Sequence, residues 1–208
     1  MKKMVNYHEQ LMNKIVTTSG TEVSLVGEKH ILLKPSIYTL EKNNITNQTG
    51  DIYYKIIEKT FSFKKEKIIV DINNNPLLII KNGSSSSSIE IFSILNSRKV
   101  IASITKVNSF TDAEKYIIIY YNQTSEKNET LSMNCATSYR SCGIFNGVEE
   151  EGASLICKIS ERKAKSFFNS KSRFNIEISS GNDGLFMSAL ALCLNELKYQ
   201  NYLEDIDD

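Results

Sequence analysis

Leu185-Phe186-Met187-Ser188-Ala189-Leu190-Ala191-Leu192-Cys193-Leu194 is apolar on every side of any helix it could form and is rich in good helix formers. Asn182 or Asp183 just ahead supplies a cap, and the run stops at Asn195 and Glu196, so the pattern predicts a helix over residues 184–197. Crossing a bilayer takes about 20 apolar residues, and this run falls short, in the range of a helix buried in a protein core. A helix with no polar face needs apolar surroundings on every side. The rest of the chain has to provide them.

Upstream, the pattern is that of strands. From Ile31 onward, short runs rich in Ile, Val, Tyr and Phe alternate with clusters of Asn, Gly, Ser and Asp. Candidate strands include residues 37–40, 51–57, 60–63, 67–71, 77–81, 89–95, 100–104, 116–121, 130–134, 142–145, 154–159 and 173–178. Asn47-Gln48-Thr49-Gly50, Asn73-Asn74-Asn75-Pro76 and Asn96-Ser97-Arg98 supply turn residues, and Pro76 sits at a strand entrance where no ladder donor is lost. Ser84 to Ser88 reads as a loosely ordered hairpin loop. An antiparallel meander follows, and closing it around the apolar helix both satisfies that helix and removes the exposed sheet edges. The expected architecture is a β-rich α+β domain: a closed antiparallel β-barrel around a central hydrophobic C-terminal helix. It occupies residues 31–200, between an N-terminal extension (1–30) with a short helix over 7–16 and an acidic tail (201–208).

Composition narrows function more than it identifies it. The chain has 208 residues, 41% hydrophobic and 24% charged, which suits one folded domain. Its net charge of +1 creates no global field for nucleic acid or an anionic membrane, so such contacts have to be local. Neither a signal-peptide core nor a myristoylation glycine follows Met1, so the expected location is cytoplasmic, with peripheral membrane association or a nuclear role both compatible. The Asn-x-Ser/Thr matches at Asn44, Asn47, Asn82, Asn122 and Asn128 then mark turns and not glycans. Cys135, Cys142, Cys157 and Cys193 contain no Cys-x-x-Cys pair, and the two histidines, His8 and His30, lie far from them, so no zinc site is expected. Cys157 and Cys193 read as buried hydrophobes, and Cys142, two residues after Arg140, carries little weight as a reactive thiol.

Three stretches resemble one family. Residues 65–81, KEKIIVDINNNPLLIIK, are similar to the strand, Asp-x-x-Gly-Asn-Pro-Leu-Leu turn and strand of the LURP-one-related proteins. Arg140-Ser141-Cys142-Gly143-Ile144-Phe145-Asn146-Gly147 resembles their Arg-Ser-Cys-x-Ile-Tyr-Asp-Gly element. Phe174 to Asp183, running into the apolar helix and ending Leu194-Asn195-Glu196, is similar to their closing strand, turn and central helix. The resemblance implies the tubby C-terminal-like barrel, shared with tubby proteins and phospholipid scramblases. The departures, an Asn-rich run near Asn75 and Ser180 where the family often has Pro, fall in turns.

Fold analogy alone does not give function. The leading expectation is a non-enzymatic module that docks on anionic phosphoinositide headgroups. Its candidate headgroup residues are Arg162, Lys163, Lys165, Lys171 and Arg173 around Phe167 and Phe168. A second basic cluster, Lys59, Lys64, Lys65 and Lys67, surrounds Phe61 and Phe63. The bland reading of both is a solvated loop face. A protein-interaction scaffold without a lipid role is the alternative that sequence does not separate from this one. Scramblase-like, calcium-regulated lipid transfer is a further alternative, but only Glu177 and Asp183 lie near the closing turn, against the roughly six to eight oxygens that calcium takes. No catalytic residues, metal or cofactor are expected, since no Gly-x-Ser-x-Gly or phosphate-cradling loop occurs and Glu149 to Glu151 read as a solvated turn.

Overall fold

The computed structural model describes residues 6–61, 64–83, 88–94, 99–108, 111–162 and 173–207. Within them the chain forms a short helix α1 (Tyr7–Met12), then strands β1 (Ser36–Glu41), β2 (Asn44–Thr46), β3 (Ile52–Phe61), β4 (Lys64–Val70), β5 (Pro76–Asn82) and β6 (Ser88–Ser93). There follow β7 (Val100–Val107), β8 (Ala113–Asn122), β9 (Lys127–Ala136), β10 (Ser141–Asn146), β11 (Ser154–Arg162), β12 (Arg173–Ile178) and the helix α2 (Gly184–Asp207). Every strand pairs antiparallel with its sequence neighbour, and β1 pairs with β12, which closes the twelve described strands into a barrel. A closed meander leaves no edge.

Helix α2 fills that barrel. Leu185 through Leu194 are all buried, and the strands turn Tyr38, Ile56, Ile91, Tyr116, Ile118, Ile144, Ile159 and Ile176 toward the same core. The two layers touch at Tyr120 and Phe186, whose rings tilt against each other at 5.3 Å. Strand β8 shows the alternation that makes this possible, with Tyr116, Ile118 and Tyr120 inside and Ile117, Ile119 and Tyr121 outside. Among the described residues no helix is long and apolar enough to cross a membrane.

Several boundaries differ from the sequence expectation. The expected strands 51–57 and 60–63 merge, as far as the described residues run, into the single β3 (Ile52–Phe61), because Glu58 and Lys59 do not break it: they face Lys67 and Glu66 across the ladder, opposite charges that suit strand neighbours. The short β2 carries a single inward apolar residue, Ile45, and left no alternating signal. Helix α1 stops at Met12 instead of 16. Asn6 caps it by accepting from the Glu9 amide at 2.9 Å, and only Leu11 is buried, while Met12 and Ile15 are 40% and 81% exposed. At the far end α2 runs on to Asp207, well past 197, so residues 201–207 of the expected acidic tail continue the helix. Of the serine tract, Ser88 opens β6 and is buried, and 84–87 lie outside the described residues.

Leu11 seats α1 on the outer wall, against Phe145 and Leu155. The floor of that seat is Gly143, where a β-carbon would stand 2.8 Å from Leu11 Cδ1 and 2.8 Å from Phe145 Cε2. Glu149 completes it. Its carboxylate accepts from Tyr7 Oη at 2.8 Å and from Asn134 Nδ2 at 2.6 Å and pairs with Lys14, so it is a partly buried latch and not the solvated turn residue expected. Burial and that neighbouring carboxylate push the Tyr7 hydroxyl well above its ordinary pKa.

After α1 the chain closes one barrel mouth. Val23 and Ile31 bridge Asn182 and Asp183, and the Leu32 amide donates to the Asn182 carbonyl at 3.0 Å. Asp183, fully buried, ties strap to helix. Its Oδ2 accepts from the Leu25 and Val26 amides at 3.1 and 3.0 Å, and its Oδ1 from the Leu185 and Phe186 amides at 2.9 and 3.0 Å. Burial raises its pKa, against the pull of those donors.

Candidate functional site

Barrel geometry decides which loops share an end. Successive hairpins alternate between the two mouths, so the turns after β1, β3, β5, β7, β9 and β11 lie together at the mouth opposite Asp183. The rim order β4, β3, β2, β1, β12, β11 therefore brings the described residues of the two basic clusters to one sector, with only the β1–β2 turn between them. At roughly 4.8 Å per strand, that sector spans about 24 Å of wall.

Register fixes the details. In β3 and β4, Lys59 faces Glu66, Thr60 faces Lys65 and Phe61 faces Lys64. Lys42 holds the β1–β2 turn in the left-handed region, with φ 54°. At the third hairpin Arg162 faces Arg173 directly, a like-charge pair that is unfavourable unless something anionic lies close. Glu41, the neighbour of Arg173 on β1, gives Arg173 a partner at 3.3 Å, while Glu161 goes to Arg140 at 3.4 Å. Lys67 is withdrawn toward the helix, paired with Glu196 at 2.5 Å. That leaves Lys42, Lys59 and Arg162 exposed and without a carboxylate partner among the described residues. Lys163, Lys165, Lys171, Phe63, Phe167 and Phe168 lie outside the described residues. Beside this rim, a cavity of about 450 Å³ opens between the β9–β10 turn and α2, bordered by Tyr139, Asn195, Lys198 and Tyr199.

Other candidate residues are placed apart from this rim. Glu177 is on the outer wall beside Lys158, 3.3 Å away, whereas both carboxylate oxygens of Asp183 are occupied by backbone amides in the core. The two do not form a shared oxygen set for calcium. Among the described residues, no group of three or more His, Cys, Asp or Glu side chains is placed to hold a metal ion. Cys157 and Cys193 are buried hydrophobes whose thiols burial pushes far up in pKa. Cys135 and Cys142, in contrast, are directly opposed on β9 and β10 with α-carbons 4.0 Å apart, and they form a disulfide. The sequence reading missed this bond; its only trace is a separation of seven residues around a turn.

Comparison with known proteins agrees with the architecture. The model of the family described as LURP-one-related matches residues 30–195. The crystal structure of an Arabidopsis thaliana protein is similar at a TM-score of 0.60 and 14% identity, over 83% of this chain and 97% of the other. No curated protein matches the sequence.

Proposed function

We propose that this chain, which belongs to the LURP-one-related family, is a non-enzymatic module that docks peripherally on anionic phospholipid surfaces through the basic rim of its barrel. The observation that supports the reading is that Arg162 and Arg173, the described members of one basic cluster, and Lys59, more than 90 residues away in sequence, lie toward one barrel mouth. Because α2 occupies the barrel interior, a ligand meets the outer surface, and the rim presents cations there. Each basic side chain near an anionic bilayer contributes about 1 kcal/mol, and the attraction decays over a Debye length of about 8 Å at physiological ionic strength.

The test is sedimentation with phosphatidylcholine vesicles carrying phosphoinositide or phosphatidylserine. Wild type should bind in low salt, release as salt rises and be indifferent to calcium. Replacing Arg162, Lys163, Lys165 and Lys171 by Ala should weaken binding at least tenfold while the circular dichroism and melting curve stay unchanged. Binding that survives both treatments, or that needs calcium, counts against this rim and for scramblase-like lipid transfer. Absence of binding to every anionic vesicle counts for a protein-interaction scaffold.

A further inference from the structure

A second recess lies on the outer wall, toward the mouth closed by Asp183 and away from the basic rim. The chain leaves α1 as an extended strap, tied to the wall where the Lys14 carbonyl accepts from Lys158 Nζ at 3.1 Å, the Thr17 amide donates to the Leu155 carbonyl at 2.8 Å and Thr18 Oγ1 meets Ser180 Oγ at 2.9 Å. Between Asn13 and Val16 the strap runs along one side of a recess. This groove, of about 760 Å³, is floored by β1, β12 and β11 and bounded on the far side by the turn Asn47–Thr49. Ligand sites commonly occupy about 300–1,000 Å³.

Its chemistry is two-sided. The strap and wall contribute Met12, Ile15, Val16 and Ile37, together with Tyr53, which is 45% exposed and stacks on Tyr38 at 5.2 Å. Ile15 is 81% exposed although it lines the groove, an apolar side chain held out where nothing in the chain covers it among the described residues. In the floor, Lys158 is buried to 6% exposure. Its ammonium donates to the Lys14 carbonyl at 3.1 Å and pairs with Glu177 at 3.3 Å, which satisfies two of three donors. The third has no partner among the described residues. Lys34 stands exposed on the lip without a carboxylate, while Lys14 is already held by Glu149. Glu177 offsets one cation, so the groove retains about one positive charge beside an apolar bed.

We propose that this groove binds an amphipathic anion, a carboxylate or phosphate monoester on an apolar body. Lys34 and the free N–H of Lys158 take the head, and Ile15, Val16 and Tyr53 cover the body. A purely apolar ligand leaves the buried ammonium short of a partner, a neutral one leaves the surplus charge of Lys34 unanswered, and a bare anion leaves Ile15 uncovered; an amphipathic anion answers all three. The site does not depend on the rim proposed above, since Lys34 and Ile15 lie outside it.

The test uses decyl phosphate below its micelle concentration, followed on protein with ¹³C-labelled isoleucine methyl groups. Ile15 and Ile37 should shift in a saturable manner while Ile117 and Ile119, on the outer face of β8, stay still. Lys34→Ala should weaken binding at least fivefold, and Lys158→Met at least tenfold. Inorganic phosphate should bind far more weakly, and decyl maltoside, with the same chain and no charge, should not compete. Because Lys158 is buried, its variant can fail to fold; Lys34→Ala and Ile15→Ser are surface changes and carry the decision. Unchanged affinity in both, equal affinity for decyl maltoside, or shifts spread equally to Ile117 and Ile119 overturn the proposal. Sedimentation with phosphatidate vesicles then separates the sources: a loss specific to Lys34→Ala assigns the head to a lipid, and binding of decyl phosphate alone assigns it to a soluble molecule. Either result upholds the site.

Discussion

Replacing Asp183 by Ala removes the carboxylate that joins the strap to the central helix, and its cost follows from four hydrogen bonds. Two of them, from Leu185 and Phe186, cap α2, and losing an N-cap costs about 1 kcal/mol. The other two, from Leu25 and Val26, leave backbone donors in a buried setting at about 1–3 kcal/mol each. Against this stands the release of a desolvated carboxylate whose pKa burial has raised. The balance is a loss of about 3–5 kcal/mol out of a typical total of about 5–15. Urea unfolding with linear extrapolation measures the loss, and native-state amide exchange locates it. The Leu25 and Val26 amides should lose protection first, while amides of β8 and β9 hold theirs until global unfolding. A loss below about 1 kcal/mol, or unchanged protection at Leu25 and Val26, would refute the assignment of Asp183 as the tie.

His30 belongs to the same strap, with Nδ1 3.1 Å from Tyr54 Oη, and burial lowers its pKa. A lowered histidine binds its proton less readily folded than unfolded, so stability should fall as pH drops through the unfolded value of about 6.5. In chemical denaturation between pH 7.5 and 5.5, His30→Gln should lose less stability than wild type, and parallel pH profiles contradict the reading. Alkylation of the denatured protein without reductant should modify Cys157 and Cys193 only, and reduction should expose Cys135 and Cys142 as well, read by mass spectrometry. Reduction should also destabilise the fold by about 2–3 kcal/mol, the chain-entropy expectation for so short a loop. Gly143→Val places a side chain against Leu11 and Phe145 and should cost about 1–3 kcal/mol, with amide exchange of α1 rising first. Equal stability would mean that α1 is not seated there.

How much of this was legible depended on whether a signal was local. The apolar run from Leu185 to Leu194 had no polar face, and that alone demanded a surrounding sheet, as the structure shows. Strands with dense apolar runs bounded by turn residues, β12 and β5 above all, are legible at nearly their true limits, whereas β8 begins three residues before its expected start and β2 with its lone Ile45 leaves no signal. The continuation of α2 past 197 was hidden because a polar helix and an acidic tail look alike in composition. For the candidate site, charge clusters were visible but their meeting at one mouth was not. That follows from closure, which sets the order β4 to β11 around the rim. Glu149 reads as a solvated turn residue and Asp183 as a helix cap; the burial of the first and the second role of the other come from distant segments, Tyr7 and Lys14 for one and Leu25 and Val26 for the other. The bond between Cys135 and Cys142 depended in the same way on a register no spacing rule reveals.

The account rests on α2 being the core of the barrel, because that is what sends every ligand to the outer wall. Leu190 lies at the middle of the buried run and is fully enclosed. Leu190→Asp puts an unpaired carboxylate there at a cost of several kcal/mol, comparable with the whole stability of a domain. The soluble yield and thermal melting of this variant, beside Ile117→Asp on the outer face as a control, is the direct measurement. The prediction is that Leu190→Asp gives no cooperative unfolding transition while Ile117→Asp melts near wild type; a folded Leu190→Asp protein with an unchanged melting temperature contradicts a central helix.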